Sequence, residues 1–198
     1  MIHVKNKIAK HKSKLKNLST SLFNSKSLVL SQTTPYEVIA KYKQTQVRYY
    51  ASTDQQYKEP LVFVAPLAIN MAIYDLYPYR SLVKHFQNSG FDVYLIEWGQ
   101  YNYKDRFLNF MSFIDDAIPH CIDQIRMHSH SDQISLHGWS MAGVFIMLYC
   151  ALHNPQHIKN LIVLGSPVDS HASGRTGMLF QKVNQLIAKN KRLQNMIY

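Results

Sequence analysis

From residue 36 onward, short apolar runs alternate with stretches of helical spacing. The runs Glu37–Ala40, Gln46–Tyr50, Leu61–Ala65, Phe91–Glu97, Gln133–His137 and Asn160–Leu164 predict six strands. The middle ones are almost unbroken by polar residues, as strands covered on both faces are. Between them Tyr79–Ser89, Phe107–His128 and Met141–His153 repeat their apolar positions every three or four residues and predict helices, the second kinked at Pro119. Strand–helix alternation of this kind belongs to an α/β fold with a mainly parallel sheet. Met178–Leu193 predicts one more helix, with Met178, Leu179, Val183, Leu186, Ile187 and Leu193 on its apolar face.

The first residues have a different pattern. Val4, Ile8, His11, Leu15, Leu18 and Leu22 form a mainly apolar stripe among lysines, predicting a basic amphipathic leader helix over 1–32 with its linker. Ser31–Pro35 reads as that linker, since a residue before proline disfavours helix. The body then runs over 33–170, and 171–198 forms a basic tail that starts a lid.

Charge sharpens this division. Residues 1–36 hold seven lysines and no acid, and residues 170–198 hold five basic side chains and no acid. The body between carries ten basic and twelve acidic groups, so the net charge of +10 resides in the two ends. A nucleic-acid-binding domain carries its basic stripe on the folded body, so nucleic acid is a poor fit. An anionic granule or membrane surface, or an acidic partner protein, suits basic ends better. Two cysteines, Cys121 and Cys150, cannot build a disulfide framework, which makes a reducing cytoplasm the default location.

The sharpest local chemistry lies in Ile134-Ser135-Leu136-His137-Gly138-Trp139-Ser140-Met141-Ala142-Gly143. A buried strand runs into a tight turn and then a helix, with serine at the apex. Gly138 and Ala142 flank Ser140 with the G-x-S-x-[GA] spacing of a nucleophile elbow, and Gly143 follows. Small residues are needed there because strand and helix pass close together. The amide of Met141, at the helix N-terminus, is placed to meet an oxyanion. A glycine-rich turn with an incidental serine is the structural alternative. His128 and His130 have no cysteine or carboxylate partners at ligand spacing, so no metal site is read there. No G-x-G-x-x-G or phosphate-loop pattern occurs, so no nucleotide cofactor is indicated.

Several blocks together resemble the polyhydroxyalkanoate synthases. They are Thr34-Pro35-Tyr36-Glu37-Val38-Ile39, Leu76-Tyr77-Pro78-Tyr79-Arg80-Ser81-Leu82-Val83, Phe91-Asp92-Val93-Tyr94-Leu95-Ile96-Glu97-Trp98-Gly99, Asp105-Arg106-Phe107-Leu108 and Leu161-Ile162-Val163-Leu164-Gly165-Ser166-Pro167-Val168-Asp169. The resemblance runs from about residue 33 to about 170 and is strongest to the shorter synthases that work with a second subunit. It implies an α/β-hydrolase fold, a mainly parallel sheet truncated here after about the sixth strand, and an acyltransferase or hydrolase acting on acyl-CoA thioesters or esters. Acyl-CoA would be a substrate, and no cofactor is implied. Where the family has cysteine in its elbow this sequence has Ser140, and Ala142 stands for a glycine, which shifts the chemistry toward hydrolysis or simple acyl transfer. A second oxyanion amide is implied at Leu67 or Ala68, in the turn after the third strand. Trp98 either lines the site or packs in the core.

The acid and base of the triad are expected beyond the end of this sequence. After Ser140 the chain has one acid, Asp169, and three histidines, His153, His157 and His171. Asp169 reads as a loop residue. His153 and His157 lie at the far end of the helix after the elbow. His171, two residues past Asp169, lies on a loop that passes toward the site, which makes Asp169 and His171 the lesser candidates for acid and base, while His137 reads as a core residue. Two readings remain: a serine acyltransferase or hydrolase that is incomplete in this chain, and a catalytically inactive fragment that binds a partner or an anionic surface.

Overall fold

The computed structural model describes residue 31 and residues 34–67, 69, 71–169, 172 and 174–189. The basic stripe of 1–30, the amide of Ala68 and the ring of His171 therefore lie outside the described residues, as does the part of the last predicted helix beyond 189.

Six strands form one sheet: β1 (Glu37–Tyr42), β2 (Thr45–Tyr50), β3 (Tyr57–Val64), β6 (Phe91–Glu97), β7 (Ile134–Trp139) and β8 (Ile158–Leu164), in the order β1-β2-β6-β3-β7-β8. β1 and β2 form an antiparallel hairpin whose second strand pairs antiparallel with β6. The other four strands run parallel. All six predicted strands are present, most of them longer than their apolar runs. β3 begins at Tyr57 because Tyr57 stacks on Phe91 at a ring separation of 4.0 Å, which pairs polar residues the hydropathy pattern excluded.

Two predicted helices are corrected. The one expected from Tyr79 begins only at Leu82, as α1 (Leu82–Asn88), because 75–81 fold as a small hairpin of β4 (Asp75–Tyr77) and β5 (Arg80–Ser81). Ser81 ends this hairpin and caps α1, its hydroxyl accepting from the Lys84 amide at 3.0 Å. The helix expected from Phe107 begins at residue 110, with Ser112–Ala117 wound as a π-helical turn before α2 (Ile118–Ser129). Pro119 supplies the reason: its ring would strike the carbonyl four residues back in an α-helix, and the wider turn relieves it. α2 takes in His128, whose Nδ1 shares a 2.8 Å hydrogen bond with the Tyr94 hydroxyl. α3 (Met141–His153) matches its predicted bounds, and α4 (Gly174–Lys189) starts four residues early.

The core lies where the sequence is most apolar. Leu61–Val64 on β3 and Val93–Ile96 on β6 are buried, as are Ile118, Ile122 and Ile125 of α2 and Phe145 and Ile146 of α3. At the other end of the order, β8 pairs only with β7 among the described residues, and Leu161–Leu164 stay 37–51% exposed. No described helix is long and apolar enough to cross a membrane.

The supposed linker turns out to be an anchor. Thr34 is buried, and its amide and hydroxyl each donate to the Asp75 carboxylate at 2.9 Å. Asp75 is itself only 2% exposed, so these bonds replace its lost hydration. Asp75→Ala leaves the Thr34 donors without their acceptor and should lower stability by about 2–4 kcal/mol, read as a drop in the urea midpoint at unchanged slope. Thr34→Val, which keeps the amide bond, should cost about half as much.

Candidate active site

One residue separates β7 from α3, and that residue is Ser140. Its backbone stands at φ 56°, ψ −127°, outside the basins an L-residue ordinarily occupies. Such a conformation costs on the order of 1–3 kcal/mol and persists only where the surroundings enforce it. The Ser140 amide donates to the Leu164 carbonyl of β8 at 2.9 Å, and the Gly143 amide donates back to the Ser140 carbonyl at 3.0 Å. A Cβ on Gly138 would lie 2.7 Å from backbone atoms of Ala142 and Gly143, so only glycine lets strand and helix approach this closely. Gly143 in turn faces Ser166, whose hydroxyl is buried and has no hydrogen-bond partner. Ser140 occupies the N-cap position of α3, yet its side chain makes no capping bond and is only half-buried. The strained backbone thus holds up a hydroxyl that the helix does not use.

The neighbouring strand brings the second element alongside. β3 and β7 pair in parallel with Val64 opposite Gly138. Leu67 and Met141 each follow that pair by three residues and so leave the same end of adjacent strands together. The chain passes from β3 outward to β6 and from β7 outward to β8, in opposite directions. The gap between β3 and β7 is therefore a topological switch point, where α/β sheets bind ligands at the carboxyl ends of their strands. Met141 carries one of the amides that an α-helix leaves without intrahelical partners, at the positive end of its dipole.

The histidines do not gather here. His137 is buried in the core, edge-on to the Phe63 ring at 4.9 Å, with its Nδ1 unpartnered. His153 Nε2 meets Asp115 Oδ1 at 2.9 Å, and His157 Nε2 shares a 3.1 Å hydrogen bond with the Tyr149 hydroxyl. Both sit at or beyond the far end of α3, about 18 Å along the helix from the elbow. Asp169 accepts from the Ala172 amide at 3.2 Å, a loop-closing bond. The cysteines offer no other nucleophile: burial pushes the Cys121 thiol up to about 12 and raises Cys150 in the same way.

Trp98, open to either role in the sequence, is 3% exposed and belongs to the core, its ring against Phe113 at 5.1 Å. Its Nε1 donates to the Ala65 carbonyl at 2.6 Å, and the Tyr74 hydroxyl donates to the Val64 carbonyl at 3.1 Å. Both bonds secure the end of β3. Sequence reading missed them because the donors lie 33 and 10 residues from their acceptors. The loops beyond β3, β6 and β8 expose Ile69, Tyr103, Phe107, Phe110 and Val168 at this end of the sheet.

A mainly parallel sheet with a strand–serine–helix elbow at its switch point defines a class, and the chain belongs to it: residues 68–191 match the family of the alpha/beta hydrolase fold. Among its curated relatives is the poly(3-hydroxyalkanoate) polymerase subunit PhaC of Haloferax mediterranei, 37% identical over 129 residues, which are 65% of this chain and 26% of that one. The subunit of the same name from Allochromatium vinosum is 36% identical over 110 residues, 56% of this chain and 31% of that one. That of Synechocystis sp. is 32% identical over 144 residues, 71% of this chain and 37% of that one. The chain thus spans about a quarter to just over a third of the length of these relatives.

Two outcomes test this geometry. Gly138→Ala presses a methyl group onto backbone that cannot rotate away, so it should cost about 2–3 kcal/mol and lower Tm by several degrees. Acid should act through two histidines. Burial holds His137 below its ordinary value of 6.5, and burial followed by the nearby Arg126 does the same for His157. The unfolded chain then binds protons that the folded one refuses, so stability falls as the pH drops below about 6.5. Thermal melts between neutral and mildly acidic pH should show this slope, and His137→Phe should flatten it.

Proposed function

We propose that Ser140 is the acyl acceptor of a polyhydroxyalkanoate synthase-like acyltransferase or hydrolase. The observation that carries this reading is the strained Ser140 backbone between β7 and α3, which holds the hydroxyl away from any capping role. The serine oxygen attacks the carbonyl carbon of an acyl thioester or ester, and the resulting oxyanion is met by the amides of Met141 and of Leu67 or Ala68. Collapse breaks the C–S or C–O bond, and the thiol or alcohol leaves with the proton that the serine gave up. A hydroxyl acceptor or water then takes the acyl group. The exposed aromatic and aliphatic side chains on the surrounding loops favour an apolar acyl chain over a charged one.

The serine proton needs an acceptor, and His153 and His157 are engaged about three helical turns away. We place the acid and base outside the described residues, on a second subunit or on further polypeptide. The engagement of those two histidines also favours the second reading, a non-catalytic chain that binds a partner or an anionic granule surface. Intrinsic turnover of this chain alone is then expected to be very low, since loss of one triad member leaves only about 10³–10⁴-fold acceleration over water.

An alkyl fluorophosphonate applied to the purified chain separates the two readings. Slow labelling, located by peptide mass spectrometry at Ser140 and abolished in Ser140→Ala, supports the acyl acceptor. Labelling at background level in both proteins supports the binding chain. Ser140→Cys places a stronger nucleophile in the same elbow and should accelerate acylation by an acyl-CoA by about tenfold or more near neutral pH. An unchanged rate would count against the elbow as the site of attack.

A further inference from the structure

We propose, building on the acyl-acceptor reading of Ser140, that Trp98 and Tyr74 are positioning residues that hold the root of the loop after β3 at a fixed distance from the elbow. In a parallel sheet the carbonyls of Val64 and Ala65 would accept from backbone amides of the flanking strands. At Ala65 a side chain does this work, and at Val64, which still pairs with Gly138 of β7, a side chain adds to the strand pairing. β7 leaves the sheet at Trp139 to pass through Ser140, whose amide bonds Leu164 and not β3. On the other side β6 ends at Glu97. The Ala65 amide still bonds the Ile96 carbonyl at 3.1 Å, but the Ala65 carbonyl accepts from the Trp98 indole. The Val64 carbonyl accepts from the Tyr74 hydroxyl.

Each donor is braced against the element that carries Ser140. The Trp98 ring meets Phe145 of α3 edge-on at 6.3 Å, and Phe113, which stacks on the same Phe145, at 5.1 Å. The Tyr74 ring lies edge-on to His137 of β7, three residues before Ser140, at 5.9 Å. Tyr74 is followed directly by Asp75, which Thr34 clamps. The loop is therefore gripped at its start by two side chains and at its far end by a buried carboxylate. Both rings are almost wholly buried, so neither touches substrate. They act on the amide of Leu67 through the backbone, setting where it sits relative to that of Met141.

Trp98→Phe and Tyr74→Phe each remove one donor, the second keeping the ring and the first replacing the indole with a smaller phenyl group. The test compares them with Phe86→Leu, which loosens packing against Phe63 and Phe91 without touching the loop. In hydrogen–deuterium exchange, a peptide covering 65–73 should exchange about tenfold faster in the two donor variants and at the unaltered rate in Phe86→Leu. In fluorophosphonate labelling the maximal inactivation rate should fall about tenfold in the donor variants, while the half-saturating probe concentration stays constant. Phe86→Leu should lower Tm alone. Unchanged exchange in the loop overturns the proposal, and so does faster exchange with an unchanged maximal rate. If the unaltered chain shows no Ser140-dependent labelling, the acyl-acceptor reading falls and takes the catalytic purpose of the latch with it. The exchange data then show separately whether the latch exists.

Discussion

The close approach of β7 and α3 governs the rest of the structure. Holding a non-glycine residue at positive φ between them costs free energy, and that cost is met by contacts that exist only if Gly138 and Gly143 bring the two elements together. Side chains at either position would open the turn, and Ser140 would relax toward an ordinary helix cap. The paired strands, the Ser140 amide on β8 and the buried face of α3 all press on this one bend. The fold can therefore be described as a support for a single dihedral angle.

Much of this was legible in the chain. The central strands β3 and β6 show as apolar runs because burial on both faces demands them, and α3 shows its bounds because Ser140 and Asn154-Pro155 punctuate it. The elbow could be read from the small residues around Ser140. What could not be read depends on pairings distant in sequence. Thr34 sits in a block that resembles a known family, but only the fold brings it to Asp75 across 41 residues. The hairpin at 75–81 is too short to leave a period, and the π turn before Pro119 differs from a kink only in geometry. Trp98 was ambiguous because an indole suits a pocket wall and a core equally well. Its burial and its bond to Ala65 decide for the core.

Family and chemistry meet at different levels of detail. Membership in the alpha/beta hydrolase fold accounts for the sheet order, the switch point and the elbow. The relatives of longer chain carry the name of a polymerase subunit, and this chain matches a minority of their length. Within the described residues the half of a reaction centre that depends on backbone is assembled: a presented hydroxyl, a helix N-terminus and a neighbouring loop. The half that depends on titrating side chains is not, because His137 is buried in the core and His153 and His157 are bonded elsewhere.

The Thr34–Asp75 clamp has a mechanical consequence. Whatever tension the residues before Thr34 transmit reaches the body at Asp75, the immediate neighbour of the tyrosine that grips Val64. The leading segment and the loop after β3 are thus coupled in series, like a rope tied beside a hinge. If that segment were fastened to a fixed support, any drag on the body would be felt first at the loop.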